Sequence, residues 1–484
     1  MTISTALSNA LSGLRAAGRG AEVVSSNIAN ALTPGYGRRI LNLSSMTIGN
    51  SGGVRIDGIT RIVDASLAAD RRMAEAEHVN RQGAVDFLAR IERLLGTPDE
   101  PGALTARLSG LDRALVTAAS RPEAPERLAA AVAEADGVAQ SLNDLSAGIQ
   151  NARGMADRTI AQQVERLNLS LQQMARLNTQ ITATQVQGGD VAGLLDERQR
   201  LVDEIGVLVP VRELQRDNGQ IALYTTGGAV LLDGTAARLD FTPSNVVTPY
   251  MSLDGGTLSG LTINGVDVRT ASENGVLRGG AIAAQFAIRD ELGVAAQAQV
   301  DAIARDLVAR FQDPAVDITL GPGDAGLFTD AGNAFDPADE LGLSARLRIN
   351  AAVDPDQGGE AWRIRDGLGA AVPGAVGDAS LIQRLSGALG AAVIPASGIA
   401  TGGAFTAIDL VSVVTSDFAG QRSIAERQLT YASVRLAELT ERQLADGVDS
   451  DAEISRLMLI EQAYAANARV IETVDELMQQ ILRL

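Results

Sequence analysis

Hydrophobic positions along the chain recur mostly every three or four residues, the spacing of amphipathic helices, and the recurrence is most regular at the two ends. Near the start, Ile3, Leu7, Ala10, Leu14, Ala17, Ala21, Val24, Ile28 and Ala31 follow one another without a miss. Such a stripe is a seam for another helix. At about 1.5 Å per residue the helix spans roughly 45 Å, more than its immediate neighbours in sequence can cover. Thr33-Pro34-Gly35-Tyr36 then ends it, because Pro34 disfavours helical geometry at Thr33 and Pro-Gly suits the centre of a type II turn. At the other end Leu457, Ile460, Tyr464, Asn467, Ile471, Val474, Met478 and Ile481 carry the same spacing, with Ile454, Ala468 and Leu482 beside them. The two ends are therefore expected to pair as a coiled coil, and Asn467 on the seam is the kind of polar residue that fixes register.

Helical spacing also runs from about 66 to 95 and from 104 to 118, separated by the breaker GTPDEPG, as in antiparallel neighbours. From Pro125 a very long periodic segment places Val138, Leu142, Leu145, Ile149, Ile160, Leu167, Leu171, Met174 and Ile181 on one face and stops at Gly188-Gly189. This predicts a rod. After a further helix in VAGLLDERQRLVDEIG the pattern changes to alternation, with Asn264-Gly265 as a hairpin signal. Helical spacing returns from about 281 to 311 and from 405 to 445, around a Gly-, Asp- and Pro-rich stretch.

The fold expected is mainly α with a β-rich insert: paired terminal helices, an elongated helical-bundle domain and a small outer β/loop region. Residues 1–33 with 452–484 make the terminal coiled coil, and 34–206 with 276–312 and 405–451 the helical domain. Residues 207–275 make the β-rich insert, and 313–404 a variable, loop-rich outer segment.

Composition narrows the partners. The 484 residues carry a formal charge of −18 and no lysine, which argues against nucleic acid. The absence of cysteine removes disulfides and thiolate chemistry. No stretch reaches membrane-span length, and the start lacks the charged and apolar regions of a cleaved signal, so no membrane insertion is expected. The C-terminal helix is acidic through Asp451, Glu453, Glu461, Glu472, Asp475 and Glu476, whereas the first helix has Arg15, Arg19 and Glu22, which favours pairing the ends with each other.

Candidate chemistry is sparse. GPGDAG at 321–326 formally fits a dinucleotide fingerprint, but no helix follows it and Pro322 and Asp324 stand where phosphate would lie. His78 is the sole histidine and makes neither a triad nor a metal cluster. Asp354 and Asp356 lack the spaced oxygens of a calcium loop. Asp196-Glu197-Arg198 reads as ordinary surface charge on a helix. No cofactor, metal or reaction is expected.

NIANALTPGYGRR (27–39) and QAYAANARVIETVDELM (462–478) resemble the N- and C-terminal signatures of the bacterial flagellar axial proteins. RIVDASLAADRRMAEAE, IERLLGTPDEPGALTARLSGLDRAL and RPEAPERLAAAVAEADGVAQSLNDL are similar to the hook-associated branch of that family; hook and rod proteins resemble this chain mainly at the ends. The resemblance covers residues 1 to about 312 and 405–484. It implies a structural, non-enzymatic subunit of the junction between hook and filament; the alternatives are another axial component, a hook or rod protein, and after that an enzyme housed in the middle region. It also implies extracellular assembly after type III export without a cleaved signal. The implied partners are copies of itself, the hook protein on one side, hook-associated protein 3 on the other, and an export chaperone on the C-terminal helix. Assembly residues implied are Ile3, Leu7, Leu14, Val24, Asn27, Ile28, Asn30, Pro34, Gly35 and Tyr36, with the C-terminal seam from Leu457 to Ile481. Gly37 stands where the family carries Ser, a change expected to preserve the turn.

Overall fold

The computed structural model describes residues 3–33, 35–46, 52–97, 100–272 and 274–483, so Pro34 lies outside the described residues. The chain opens with helix α1 (Ile3–Ala29), followed by a hairpin of β1 (Arg38–Ser45) and β2 (Val54–Ile62). Helices α2 (Ala65–Leu95), α3 (Leu104–Ser120), α4 (Pro125–Val186) and α5 (Ala192–Leu208) come next. Asp64 caps α2 by accepting from the Ser66 and Leu67 amides, and Pro125 opens α4 where its missing N–H costs nothing.

Strands β3 (Val211–Gln215), β4 (Ile221–Thr225), β5 (Val230–Asp233) and β6 (Thr235–Ala236) form one antiparallel sheet in sequence order. Strands β7 (Leu239–Asp240), β8 (Leu261–Ile263) and β9 (Val266–Val268) form another, and Asn264 and Gly265 turn its hairpin with φ of 52° and 78°. Helices α6 (Gly280–Ala287) and α7 (Gly293–Phe311) flank one π-helical turn at Ile288–Leu292. Strand β10 (Phe328–Asp330), helix α8 (Leu343–Arg346), strand β11 (Leu347–Ile349) and helices α9 (Arg363–Asp366) and α10 (Ser380–Gly390) lead to α11 (Ala407–Ala445) and α12 (Ser450–Leu482).

At 62 residues α4 is about 93 Å long and serves two hydrophobic cores in succession. Its first half, from Leu128 to Ala156, packs in one cluster with α2, α3, α7, α10 and α11. Its second half, from Ile160 to Ile181, packs in the other with α5, α6 and both sheets of the insert. Asn168 and Asn178 dock those sheets, each pairing its amide with a strand backbone, at Leu239 and Ile221.

Between the two cores lies a buried ionic knot. Arg289 donates to Asp157 at 2.7 Å, both side chains being fully buried, and also to Asp290. Arg153 donates to the Arg289 carbonyl, which the π-turn leaves open.

The structure departs from the sequence reading in two places. The hairpin 38–62 falls in a region expected to be helical; like neighbours such as Ile40-Leu41 and the register shift next to Gly58 blur the alternation that would mark its strands, and it lies along α1. The 313–404 segment, expected as loop-rich and outer, buries Phe328, Leu343, Leu347, Ile364, Ile382 and Leu385 in the core of the long helices. The strands of three residues are too short to show a period, whereas α10 does carry one, Leu381, Ile382, Leu385, Ala388 and Leu389, inside a stretch whose Gly, Asp and Pro content reads as loop. Two buried side chains fasten this segment to α7: Asp301 accepts from the Gly342 and Ser344 amides, and Arg310 donates to the carbonyls of Ala388, Ala391 and Phe405.

Candidate functional site

Helices α1 and α12 run antiparallel and meet at seven-residue intervals. A Cβ added at Gly13 would stand 2.7 Å from the Asn467 side chain, one at Gly20 would stand 3.1 Å from Ile460, and Asn27 hydrogen-bonds Glu453. The heptad step is that of a coiled coil, and glycine at two of its contacts lets the backbones come close.

The predicted seam residues divide accordingly. Val24, Asn27 and Val474 are buried; Ile3, Leu14, Ile28, Leu457, Ile460, Asn467 and Ile471 are half-buried. Leu7, Tyr464, Met478 and Ile481 are exposed. The close contact is thus made by small residues, with the larger apolar side chains of the α1 stripe left on its flank. Asn467 does sit on the seam, where its amide donates to the Ala463 carbonyl.

The turn after α1 forms a polar clasp. Asn27, with no exposed surface, accepts from the Tyr36 hydroxyl (2.8 Å) and the Arg39 amide (2.9 Å), and donates to the Arg39 carbonyl and to Glu453. Burial raises the Tyr36 hydroxyl above its ordinary pKa of 10.0, which keeps it a donor. Asn30 donates to the Ser26 carbonyl, and Gly35 adopts φ of +80°, a conformation that favours glycine. Arg38 donates to the buried Glu453 carboxylate at 2.8 Å, so the charge at the start of α12 is paired.

A second carboxylate, Asp196 on α5, accepts from Arg39, Arg61 and the Gly37 amide at 2.7 to 2.9 Å. The first helix, the hairpin, α5 and α12 are fastened at one corner.

Sequence reasoning missed much of this clasp. Asp196 was read as surface charge and Glu453 as one of several acids, because nothing in a single sequence says which helical carboxylate lies under Arg38-Arg39. Gly37 is more than a neutral exchange. A Cβ there would meet the Arg61 Nε at 2.5 Å, so the side chain that reaches Asp196 depends on glycine at this position.

Among the described residues no group of three or more His, Cys, Asp or Glu is placed to hold a metal ion, and no helix is long and apolar enough to cross a membrane. His78 is half-buried on α2, and in the 321–326 loop the Asp324 carboxylate accepts from the Gly321 amide.

Residues 88–315 match the helical domain of flagellar hook-associated protein FlgK, 7–36 match the flagellar basal body rod protein family, and 445–484 match the C-terminal family of the rod proteins FlgEFG. The chain is 24% identical to flagellar hook-associated protein 1 of Escherichia coli (strain K12), with all of both chains covered. Along its whole length the chain is similar to the flagellar hook-associated protein 1 family. A relative of the same name from Bacillus subtilis (strain 168) is 22% identical over 94% of this chain and 93% of its own. The flagellar hook junction protein FlgK from Burkholderia pseudomallei is 20% identical, covering 54% of this chain and 46% of that one, with a TM-score of 0.45.

The rod-type matches coincide with the two helices that pair, and the match that is particular to hook-associated protein 1 falls on the body built around α4. That match over 88–315 separates this chain from the hook and rod alternatives.

Proposed function

We infer that the chain is a structural subunit of the bacterial flagellum that forms the junction between hook and filament, assembling through its terminal helices. The observation that carries this reading is the one-sided burial of the terminal pair. Leu7, Leu11, Leu459, Leu477 and Ile481 stay in solvent although the pair is closed on its inner seam. Exposed apolar surface of that extent is a mark of an interaction face.

In this reading residues 1–33 with 452–484 form the inner axial part, joined by the hairpin that packs on α1. Residues 34–206 with 276–312 and 405–451 form the elongated helical domain, 207–275 the β-rich insert, and 313–404 a segment seated on that domain. The seam residues act by packing and no residue does chemistry. Copies of the chain line one another around the axis, with the hook protein on one side and hook-associated protein 3 on the other. Export through the flagellar type III apparatus precedes assembly, with a chaperone covering α12.

Electron microscopy of cells lacking this protein, with an assay for filament subunits in the medium, tests the reading. Complete hooks without filaments, and filament subunits released outside, are expected. Missing hooks would move the role to hook or rod, and normal filaments would refute it.

A further inference from the structure

The terminal pair has two unlike sides. With the contact line fixed by Gly13, Gly20, Ile460 and Asn467, the helical advance of about 100° per residue turns Leu7, Leu14, Ala21 and Ile28 to one flank of α1. Because the helices are antiparallel, the same side of the pair receives Ile454, Glu461, Ala468 and Glu472 of α12. This side is apolar with an acidic margin, and no ion pair engages Glu461 or Glu472 among the described residues.

The other side is a groove of about 320 Å³. Its floor is Ala16, Ala17 and Val23 of α1, and its walls are Leu41 and Leu43 of the hairpin and Ala463 and Arg456 of α12. Along α12 the groove continues into a free stripe of Leu459, Ala466, Val470 and Leu477, spaced by threes and fours or their sum. The exposed charges on this side are Arg15 and Arg456, with Arg19 already paired to Glu22 at 2.6 Å, and the α12 flank here carries no acid.

We propose that the groove side of one copy receives the acidic flank of the next, so that the terminal pairs pack head to tail. The inference rests on the assembly reading and specifies its contact. A second copy is the occupant because its opposite side supplies what the groove lacks, large apolar side chains (Leu7, Leu14, Ile28) bordered by carboxylates that meet the arginines. Two different surfaces in contact make a heterologous interface, which propagates around an axis, whereas a self-complementary one would close at two copies.

The chain has no cysteine, so introduced thiols are unique. Cells producing both Leu14→Cys and Leu43→Cys in place of the natural chain are the test, with a short bis-maleimide applied to their isolated hook–filament structures. A cross-linked band at twice the chain mass is expected from the mixture and from neither variant alone. A dimer band from one variant alone, a cross-link to a different protein, or none in junctions that contain the chain would overturn the head-to-tail contact and leave the junction role standing. Immunolocalisation of the unmodified chain is scored separately; its absence from the boundary would remove the junction role and this contact together.

Charge exchange gives a second readout that does not depend on the thiols. Glu461→Arg with Glu472→Arg should lower incorporation by about tenfold or more. Adding Arg15→Glu and Arg456→Glu to that chain should restore it, and failure of the restored chain, with its body folded, counts against the contact.

Discussion

The helical body and the terminal pair are built from the same periodic pattern and end in opposite states. In the body, Leu142, Ile149, Ile160 and Leu167 have no exposed surface, and polar side chains at the same depth are paired. In the terminal pair, α12 buries two residues of its thirty-three, Glu453 and Val474, and one of these is a carboxylate. A helix whose stripe is covered inside the chain adds to the chain's own stability. A helix covered along one line adds little there and keeps its remaining apolar surface for a partner.

The largest test of that contrast lies in the knot between the two cores. Arg289→Met strands the buried Asp157 and should cost about 3–5 kcal/mol, read as a lower urea midpoint for the whole body. Truncation in a packed stripe comes next. Leu142→Ala should cost about 2–5 kcal/mol, whereas Leu477→Ala, at a position 44% exposed, should change monomer stability by less than about 0.5 kcal/mol while reducing incorporation. Equal effects of the two on monomer unfolding would erase the distinction between the regions.

The clasp should give a smaller and local effect. Glu453→Ala leaves Arg38 and one Asn27 hydrogen bond unpaired, at about 1–3 kcal/mol of local stability. Hydrogen exchange should quicken in the first turns of α12 and in the turn after α1, with α4 unchanged. Faster exchange throughout α4 would show that the ends and the body unfold as one.

How far the sequence could be read follows from the same contrast. Long stripes were legible, so α1, α2, α3, α4, α11 and α12 fell near their expected limits, and the pairing of the ends came with them. The close contact of that pair was less so, because Gly13 and Gly20 carry no hydrophobic signal and act by being small. The clasp was hidden for another reason: Asp196 and Arg61 lie far apart in sequence, and their pairing exists once three elements meet. The 313–404 segment packs partly through strands too short to show a period and partly through α10, whose stripe from Leu381 to Leu389 is legible but is easily passed over among glycines and prolines. Its anchors, Asp301 and Arg310, look like solvent-facing helix charges until their carbonyl and amide partners are in place.

Those anchors also set the smallest expected effect, a pH dependence that belongs to the body. Burial raises the Asp301 carboxyl above its ordinary 3.8, although the Ser344 hydroxyl, the Ser344 and Gly342 amides and Gln297 all donate to it and pull the other way. A raised value means that the folded chain binds this proton more tightly than the unfolded one. Its contribution to stability is therefore fully present below 3.8 and is lost as pH rises through the raised folded value. Asp366 has the opposite sign. The hydrogen bond from Arg365 lowers its carboxyl, so its contribution holds above 3.8 and fades as pH falls through the lowered value. Asp301→Asn removes the first dependence and keeps the second. In urea titrations across the acid range, the advantage of the natural chain over this variant should grow as pH falls. An advantage that shrinks would mean that Asp301 is held as a carboxylate by its four donors, with burial the weaker influence.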